Sequence, residues 1–259
     1  MDYKLEGKLA FVTGSSKGIG KATAILLHRE GARVIIHGRT AESVERARTD
    51  LPPAYAVHGE LSDKAAVDRI IDEVKDIGIV DILVNNAGIF EAKPFGEIPD
   101  EDWLRFFEVN VMSGVRFSRA FMPEMLLKSW GRIIFISSES AINIPEEMIH
   151  YGMTKTAQLA VSRGLAELTK GTGVTVNAVL PGPTASEGVT DFMKTMAQGQ
   201  DMKVAGGEFF KSARPTSLLQ RFEDPMEIAQ AIVFVASPLS SAINGAALRA
   251  DGGVVKSAF

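Results

Sequence analysis

The sequence predicts the α/β class: a single domain with a doubly wound, seven-stranded parallel sheet and helices on both faces. Short apolar, β-branched runs alternate with longer amphipathic segments along the whole 259-residue chain. That alternation is typical of βαβ units. Hydrophobic residues make up 46% of the chain and charged residues 23%, as in a folded globular domain. Because no linker, repeat or low-complexity tract interrupts the pattern, we expect one domain over residues 1–259.

Each predicted strand is a short apolar run, and each predicted helix has apolar residues at helical spacing. The strands are Leu9–Val12, Arg33–His37, Ala54–His58, Asp81–Val84, Arg132–Ser137, Thr175–Val179 and Ala246–Ala250. The helices are Ile19–Glu30, Ser62–Ile77, Trp103–Leu127, Tyr151–Lys170 and Pro225–Ala236. Strands joined by helices form parallel sheets with right-handed crossovers, so both faces of this sheet should be covered.

A segment before the last predicted strand breaks the alternation. Residues 184–216 contain no strand pattern but combine glycines with apolar side chains. The glycines are Gly188, Gly199, Gly206 and Gly207, and the apolar residues include Phe192, Met193, Met196, Met202, Phe209 and Phe210. We interpret this segment as a lid inserted over a substrate pocket. A pair of ordinary surface helices is the alternative.

Composition excludes several classes of function. The absence of cysteine excludes disulfides, thiolate metal sites and a cysteine nucleophile. The four histidines lack the spacing of metal ligands, so we expect no metal site. A net charge of −4 with dispersed basic residues argues against nucleic acid as a partner. The sequence shows no signal-peptide pattern, and no uncharged apolar stretch reaches the roughly 18 residues of a membrane helix. We therefore expect a cytoplasmic protein without a membrane partner.

A glycine-rich turn follows the first predicted strand and opens the first predicted helix. It reads Thr13-Gly14-Ser15-Ser16-Lys17-Gly18-Ile19-Gly20. The first glycine permits a sharp turn, the second lets the backbone approach a pyrophosphate, and the third permits close packing of helix on strand. Free N–H groups at the helix start attract the negative charge. In a Rossmann-type fold, the predicted cofactor contacts here are Gly14, Ser16, Lys17, Gly18, Ile19 and Gly20. A purely structural turn is the alternative.

The residues after the second predicted strand indicate which nicotinamide cofactor is bound. They read His37-Gly38-Arg39-Thr40, with no acid before Glu42. A carboxylate at this place would bind the ribose 2′-hydroxyl of NAD and repel a 2′-phosphate. Arg39 offers a forked cation for that phosphate, and Lys17 can add positive charge. We predict NADP(H), with Arg39 and Thr40 as contacts; a solvated surface arginine is the alternative.

A candidate catalytic set follows from Tyr151 and Lys155, which lie four residues apart and so on one side of a helix. Ser138 stands at the end of the fifth predicted strand, where parallel sheets place their binding sites. Asn110 lies inside a predicted helix, where propensity gives it no reason to be. An unperturbed tyrosine has a pKa of about 10, and a neighbouring ammonium would lower it. Such a tyrosine can exchange a proton with a carbonyl oxygen, which a serine can bind.

Together these motifs resemble the short-chain dehydrogenase/reductase family, which includes 3-oxoacyl carrier-protein reductases. The resemblance rests on the glycine-rich turn, Asn85-Asn86-Ala87-Gly88, Asn110, Ser138 and Tyr-x-x-x-Lys. It continues through Asn177, Pro181-Gly182 and Asp251-Gly252-Gly253, and so covers nearly the whole chain. It implies an NADP-dependent oxidoreductase that transfers a hydride between the nicotinamide and a carbonyl or secondary alcohol.

The resemblance also implies a role for each matching residue. Tyr151 would be the general acid–base, Ser138 the partner of the substrate oxygen, and Lys155 would bind the nicotinamide ribose. Asn110 would support a water between Lys155 and solvent. Further cofactor contacts would come from Asn86, Ala87 and Gly88 on the adenosine-ribose side, and from Pro181, Gly182 and Thr184 at the carboxamide. Slippage of the strand end leaves Ser137 and Ser140 as alternatives to Ser138.

Two departures from the family pattern stand out. The segment Gly59-Glu60-Leu61 has glutamate where relatives often place an adenine-binding aspartate. We keep Glu60 and Leu61 as cofactor contacts. After Pro181-Gly182 the chain reads Pro183-Thr184-Ala185-Ser186, where many relatives have an aliphatic residue and then threonine.

The sequence says little about the substrate. Glu139, Glu146 and Glu147 near the pocket would disfavour an anion, or they could be solvated loop charges. With an apolar lid, this favours a small neutral or apolar carbonyl compound or alcohol. A 3-oxoacyl carrier-protein reductase is an alternative, although Ser129 and Thr172 stand where we would look for basic docking residues.

The sequence also allows other functions on the same fold, and it predicts an assembly state. A nucleotide-binding regulatory protein without turnover is possible, as is dehydration or epimerisation on the same fold. His150, next to Tyr151, is expected to be a surface residue without a role. The predicted helices Trp103–Leu127 and Tyr151–Lys170 carry apolar residues on more than one face, which predicts a homo-oligomer, a tetramer or dimer. Additional core packing within one chain is the alternative.

Overall fold

The fold is built on one seven-stranded sheet, in a computed structural model that describes residues 2–51, 54–190 and 202–258. The strands are β1 (Leu9–Val12), β2 (Arg33–Gly38), β3 (Tyr55–His58), β4 (Ile82–Asn85), β5 (Trp130–Ile136), β6 (Gly173–Pro181) and β7 (Ala247–Ala250). All neighbouring strands are parallel, in the order β3-β2-β1-β4-β5-β6-β7. The predicted fold class is confirmed.

Helices cover both faces of the sheet. They are α1 (Gly18–Arg29), α2 (Ala41–Arg48), α3 (Lys64–Ile77), α4 (Asp100–Phe107), α5 (Ser113–Leu127), α6 (Ile149–Glu167), α7 (Met202–Ser212) and α8 (Pro225–Ala236). One core cluster packs α1, α2 and α8 against one face, and a second packs α3, α5 and α6 against the other. Every residue of β1 and β4 is buried, which explains the continuous apolar runs Leu9–Val12 and Ile82–Val84 in these strands.

The order of the strands reverses beside β1. The chain runs outward from β1 through β2 to β3, then returns so that β4 pairs with the other side of β1. Loops leaving the carboxyl ends of β1 and β4 therefore diverge and leave a crevice between them. The glycine-rich turn follows β1 at that crevice.

Two helix predictions differ from the structure. The predicted helix Trp103–Leu127 is two helices, α4 and α5, joined by a π-helical segment, Glu108–Met112. The sequence pattern misses this because a π-turn adds one residue without breaking the helical rod. Helix α2 was not predicted. It is eight residues long and buries only Val44 and Ala47, so its apolar periodicity is weak.

The predicted lid, residues 184–216, is described only in part. Gly199, Phe192, Met193 and Met196 lie outside the described residues. In the described part, α7 forms a helix and Thr184 makes an isolated bridge with Glu223. The rings of Phe209 and Phe210 pack on each other and on Phe222, with centroids 5.0–5.4 Å apart. That the segment acts as a lid stays a prediction.

Two features are absent from the described residues. None of their helices has the length and apolar character needed to cross a membrane. Their histidines and carboxylates form no group of three or more that could hold a metal ion.

Candidate active site

A cleft of about 1210 Å³ opens at the carboxyl edge of the sheet. It brings together almost all the residues predicted for the site. Lining it are Gly14, Ser16, Lys17, Gly18, Ile19, Arg39, Thr40, Glu60, Leu61, Asn86, Ala87, Gly88, Ser138, Tyr151, Lys155, Pro181, Gly182 and Thr184. Gly20 and Asn110 do not line the cleft and lie behind its wall.

The glycine-rich turn has the backbone geometry expected of a phosphate cradle. Gly14 and Gly18 have φ values of 61° and 58°, in the left-handed region that favours glycine. A Cβ at Gly20 would lie 2.4 Å from Asn86 Nδ2, so this position has no room for a side chain. Asn86 Nδ2 donates to the carbonyls of Thr13 and Gly14, at 2.9 and 3.0 Å. Gly20 therefore shapes the turn through packing and does not face the cleft.

His37 supports the same turn, and the sequence did not single it out. Its Nδ1 accepts a hydrogen bond from Gly14 N at 3.0 Å, and its Nε2 lies 3.1 Å from the carbonyl oxygen of Gly59. These partners fit a neutral ring that accepts at Nδ1 and donates at Nε2. Burial lowers the pKa of His37 to about 4. The ring therefore stays neutral at ordinary pH and ties the turn after β1 to the end of β3.

Positive charge lines the rim beside β2. Arg39 and Lys17 are both exposed there. Thr40 has a structural task, because its hydroxyl accepts from Ser43 N at 3.2 Å and caps α2. At the next strand end Glu60 is exposed and Leu61 is buried in the core. The two cations meet the requirement for a 2′-phosphate, while Thr40 and Leu61 line the cleft as parts of its wall.

Ser138 and Tyr151 face each other across the cleft floor. Strand β5 ends at Ile136, and Ser138 caps a short 3-10 turn, accepting from Ser140 N at 3.1 Å. The hydroxyls of Ser138 and Tyr151 form a hydrogen bond, which opposes the rise in the Tyr151 pKa that burial causes.

The other two candidate serines are engaged elsewhere. Ser137 Oγ donates to the carbonyl of Lys155 at 2.8 Å, and Ser140 Oγ donates to Glu139 Oε1 at 3.1 Å. The geometry thus favours Ser138 over both alternatives.

The protonation of Tyr151 differs from the expectation. Burial raises its pKa to about 12, and the carboxylate of Glu139 adds to this rise. Burial lowers the pKa of Lys155 to about 7. Lys155 Nζ lies 5.5 Å from the centre of the Tyr151 ring and donates to the carbonyl of Ile136 at 2.9 Å. Desolvation of the phenolate outweighs the two groups that lower the tyrosine pKa, which are the Ser138 hydroxyl and the Arg214 charge, and Lys155 is not among them.

Asn110 lies in the π-helical segment, where its side chain anchors the loop after β4. Its Oδ1 accepts from Ile89 N at 2.8 Å, and its Nδ2 donates to the carbonyl of Ile89 at 3.0 Å. A Cβ on Gly88 would lie 3.4 Å from both Asn110 Oδ1 and Lys155 Nζ. Gly88 therefore lies at the catalytic end of the cleft, whereas we had expected it on the adenosine-ribose side.

Gln158 links Asn110 to Lys155, and sequence reasoning missed it. Its Nε2 donates to the backbone carbonyl of Asn110 at 2.5 Å, and its Oε1 accepts from Lys155 Nζ at 3.4 Å. The side chain is 1% exposed. The signal available in the sequence was a glutamine three residues after Lys155, and so on the same side of the helix.

The predicted nicotinamide end of the cleft depends on Glu223, another residue that the sequence did not indicate. Its Oε2 accepts from Gly182 N at 3.1 Å. Burial raises the pKa of Glu223 to about 7, and nearby Asp251 contributes. Thr184 Oγ1 donates to the carbonyl of Gly182 at 3.0 Å. A buried carboxyl group thus holds the backbone predicted to meet the carboxamide.

Two further expectations are wrong. His150 is not on the surface: it is fully buried, with its ring centroid 4.1 Å from that of Phe106 and 6.0 Å from that of Trp103. Ser129 and Thr172 do not stand at the entrance to this chain's cleft. They directly precede β5 and β6, at the opposite edge of the sheet from Ser138. The position of His150 next to Tyr151 in the sequence did not reveal its burial. The sequence likewise did not reveal on which edge of the sheet Ser129 and Thr172 lie.

Comparisons with known proteins agree on the class. A family profile described as Enoyl-(Acyl carrier protein) reductase matches residues 14–255. The Bacillus subtilis (strain 168) protein YvrD, an uncharacterized oxidoreductase, is 50% identical over 99% of this chain and 100% of its own length. A galactitol 2-dehydrogenase (L-tagatose-forming) from Cereibacter sphaeroides is 34% identical over 98% of both chains. The crystal structure of L-sorbose reductase from Gluconobacter frateurii, complexed with NADPH and L-sorbose, is 30% identical. It has a TM-score of 0.93 and covers 99% of this chain and 100% of that one.

Proposed function

The chain belongs to the short-chain dehydrogenase/reductase family of oxidoreductases, and on that premise we propose that it is an NADP(H)-dependent enzyme. It transfers a hydride between the nicotinamide and the carbonyl or secondary alcohol carbon of a small, neutral or apolar substrate. Tyr151 is the general acid–base. The observation that carries the proposal is the meeting of the Ser138 and Tyr151 hydroxyls in the same cleft as the glycine-rich turn and Arg39.

The residues around the cleft fit NADP(H). The left-handed glycines leave the backbone open to a pyrophosphate, and the start of α1 adds the helix dipole. Arg39 and Lys17 supply positive charge for the 2′-phosphate, and no acid stands between β2 and Glu42 to repel it. Solved structures of relatives from Gluconobacter frateurii and Agrobacterium tumefaciens C58 contain NADPH and NADP, respectively.

Side chains of the protein carry out the other steps of the reaction. When bound, NADPH supplies the hydride. Ser138 Oγ donates a hydrogen bond to the substrate oxygen and stabilises its developing negative charge. The Tyr151 hydroxyl donates a proton to that oxygen, and in oxidation the phenolate takes it back. Lys155, whose pKa is near 7, would return a proton to this site; its Nζ lies 5.5 Å from the centre of the Tyr151 ring, and Gln158 and the Ile136 carbonyl fix its position.

The test is consumption of NADPH, followed by its absorbance, against ketones, aldehydes and 3-oxoacyl thioesters. We expect steady turnover of at least one class and no turnover without added carbonyl compound. The second outcome separates hydride transfer to a free substrate from dehydration or epimerisation with a retained cofactor. Failure of every class would contradict the proposal and favour a nucleotide-binding protein without turnover.

A 3-oxoacyl carrier-protein reductase is the second candidate. Enzymes of that name from Aquifex aeolicus (strain VF5) and Vibrio cholerae serotype O1 are 31% and 36% identical to this chain. Both matches cover at least 96% of each chain. The 3-oxoacyl thioesters in the panel distinguish this activity: it requires them to be the preferred substrates.

We also propose a homo-oligomer formed through the α4–α5 and α6 region. Leu104, Leu127 and Leu168 are 67%, 87% and 63% exposed on these helices or directly after them. Large exposed apolar side chains are typical of surfaces that pack against another subunit. Sedimentation should show a tetramer or dimer, and a monomer at micromolar concentration would contradict this.

A further inference from the structure

A buried ion pair lies beside the proposed catalytic serine. Arg214 Nε donates to Glu139 Oε1 at 2.7 Å, and the two side chains are 6% and 3% exposed. Both residues line the cleft. Glu139 directly follows Ser138, whereas Arg214 comes from the segment after α7, 75 residues further along the chain. The pair therefore joins the sheet side of the cleft to a segment that lines its other side.

The pair is poorly explained by stability alone. Removing two charges from water costs several kcal/mol for each, and apolar residues of similar volume often serve a core equally well. Here the pair is also incomplete. Glu139 Oε2 is buried without a hydrogen-bond partner, and among the described residues Arg214 Nη2 has none either. Arg214 Nη1 is already used by the carbonyl of Ala213 at 2.7 Å.

The Glu139–Arg214 pair lies near the proposed reacting centre. The charges of Glu139 and Arg214 both act on the Tyr151 hydroxyl, the first raising its pKa and the second lowering it. The Arg214 guanidinium carbon lies 5.8 Å from the centre of the Phe209 ring, within the range of a cation–π contact. Arg214 therefore lines the same cleft as Ser138 and Tyr151, near enough for its charge to act on the Tyr151 hydroxyl.

We propose that Glu139 and Arg214 form a specificity subsite for a second oxygen atom of the substrate. Arg214 Nη2 donates to a hydroxyl or carbonyl oxygen on a carbon next to the reacting one, and Glu139 holds the guanidinium in place. The substrate is then a small neutral ketone with an adjacent oxygen, or the corresponding diol. This inference rests on the proposed function, because it needs the reacting carbonyl at Tyr151.

Local charge decides between a neutral and an anionic substrate. Glu147 Oε1 lies 3.7 Å from Arg214 Nη1, so two carboxylates surround one guanidinium. A carboxylate on the substrate would add a third negative group to a site whose single positive charge is already matched. A neutral oxygen accepts from Nη2 without that repulsion. The subsite therefore selects hydroxyketones and diketones over oxoacids.

The test compares four ketones of one carbon skeleton: 2-butanone, 3-hydroxy-2-butanone, 2,3-butanedione and 2-oxobutanoate. Each is reduced with NADPH by the wild type and by the double variant Glu139→Leu/Arg214→Met, which replaces the pair with apolar groups. Because a neighbouring oxygen also activates a carbonyl, the readout is the ratio of kcat/KM for 3-hydroxy-2-butanone to that for 2-butanone. We expect the ratio to fall ~10- to 100-fold in the variant, as for loss of a hydrogen bond to a charged donor.

Controls separate the subsite from the fold and from the activity. Arg221→Met removes a guanidinium that pairs with Glu227 outside the cleft, at 2.8 Å through both nitrogens, and should leave the ratio unchanged. If the double variant does not fold, Arg214→Lys keeps the charge but has one ammonium for two acceptors, and should also lower the ratio.

Three results would overturn an assignment. If the wild type reduces none of the four ketones and nothing in the wider panel, the proposed function fails. If the ketones are reduced and the ratio survives in the variants, only the subsite fails. Preference for 2-oxobutanoate over 3-hydroxy-2-butanone by more than tenfold would overturn the charge argument.

Discussion

The two halves of the cleft are built in different ways. The half predicted to bind the cofactor lies on the carboxyl ends of β1, β2 and β4, and backbone groups of the glycine-rich turn form its floor. The half predicted to bind the substrate lies between the loop after β5 and the segment around α7. There the key contact is a pair of side chains, Glu139 and Arg214, from distant parts of the chain.

The two halves differ because binding a dinucleotide is a general task, whereas binding one substrate is a particular task. Every dinucleotide offers the same pyrophosphate, which backbone N–H groups at a helix start can bind without a special side chain. Substrates differ, so their site needs side chains whose identity can vary while the sheet stays the same. We therefore expect substitutions in the two halves to affect different measurements.

The largest effect should come from Tyr151→Phe, which separates chemistry from cofactor binding. Loss of a positioned general acid–base costs about 10²–10⁴-fold in kcat, and we expect a fall near the upper end. The Kd for NADPH, followed by its fluorescence, should change less than threefold. Tyr55→Phe is the control, because Tyr55 is a half-exposed tyrosine on β3, outside the cleft. Normal turnover in Tyr151→Phe would contradict the assignment of Tyr151 as the general acid–base.

The next effect is a pH-dependent stability from Glu223, a side chain that supports the backbone at Gly182. Its pKa is raised from 4.5 to about 7, so the folded protein holds this proton more tightly than the unfolded chain does. The stabilisation is complete below about pH 4.5 and is lost as pH rises through about 7. The shift corresponds to at most about 3 kcal/mol.

Glu223→Gln tests this by urea unfolding at pH 5 and pH 8. We expect the unfolding free energy of the wild type, relative to the variant, to be about 2 kcal/mol lower at pH 8 than at pH 5. Glu227→Gln is the control, since the pKa of Glu227 is lowered to about 2 by its contact with Arg221 and lies outside this range. A difference between wild type and Glu223→Gln that does not change with pH would contradict the assignment.

A smaller effect tests the choice of cofactor. Arg39→Ala should weaken NADPH binding by ~10- to 100-fold and leave NADH binding nearly unchanged, because only NADPH carries the 2′-phosphate. Titration calorimetry with both cofactors measures this, and Arg46→Ala, an exposed arginine paired with Glu42, is the matched control. Equal weakening of NADPH and NADH binding would show that Arg39 does not bind the 2′-phosphate.

An acid at Gly38 would be a poor route to NAD preference. A Cβ at Gly38 would lie 2.5 Å from Ser43 Oγ, in the capping box of α2. Arg39 is the better position to change.

The smallest effect concerns a hydrogen bond that joins the two halves at the turn. Glu187 Oε2 accepts from Gly18 N at 2.8 Å, at the start of α1 where a phosphate oxygen would accept. Glu187→Gln removes this negative charge, so NADPH should bind about two- to fivefold more tightly, as expected for one charge at a helix N-terminus. The effect should shrink at high salt. Glu208→Gln, on α7 but not lining the cleft, is the control; weaker binding in Glu187→Gln would mean that the carboxylate supports the cofactor.

The features that could be predicted from the sequence were those that depend on residues close together along the chain. Arg39 and the glycines of the turn were predicted because strand, turn and helix follow one another within a few residues. The pairing of Tyr151 with Lys155 was predicted because a helix repeats every 3.6 residues. Strand β5 ends one residue before its predicted end at Ser137, and the π-turn at Asn110 was not predicted, so the ends of elements were predicted less accurately.

The side chains that were missed act across the fold. His37 contacts Gly14, Gln158 contacts Asn110, and Glu223 contacts Gly182, over 23, 48 and 41 residues of sequence, respectively. No local pattern marks such pairs, since each residue alone resembles an ordinary polar side chain. His150 was misplaced for the same reason, because its burial depends on Trp103 and Phe106.

The sequence by itself determined the α/β class, the seven strands in their order along the chain, the glycine-rich turn and the candidate acid–base pair. Periodicity and glycine placement express these locally, through backbone geometry that needs no knowledge of the rest of the chain. Only the tertiary structure decided the protonation of Tyr151 and Lys155 and the pairing of Glu139 with Arg214. Burial and long-range contact set the energies of charged groups, and both arise only when distant segments pack together.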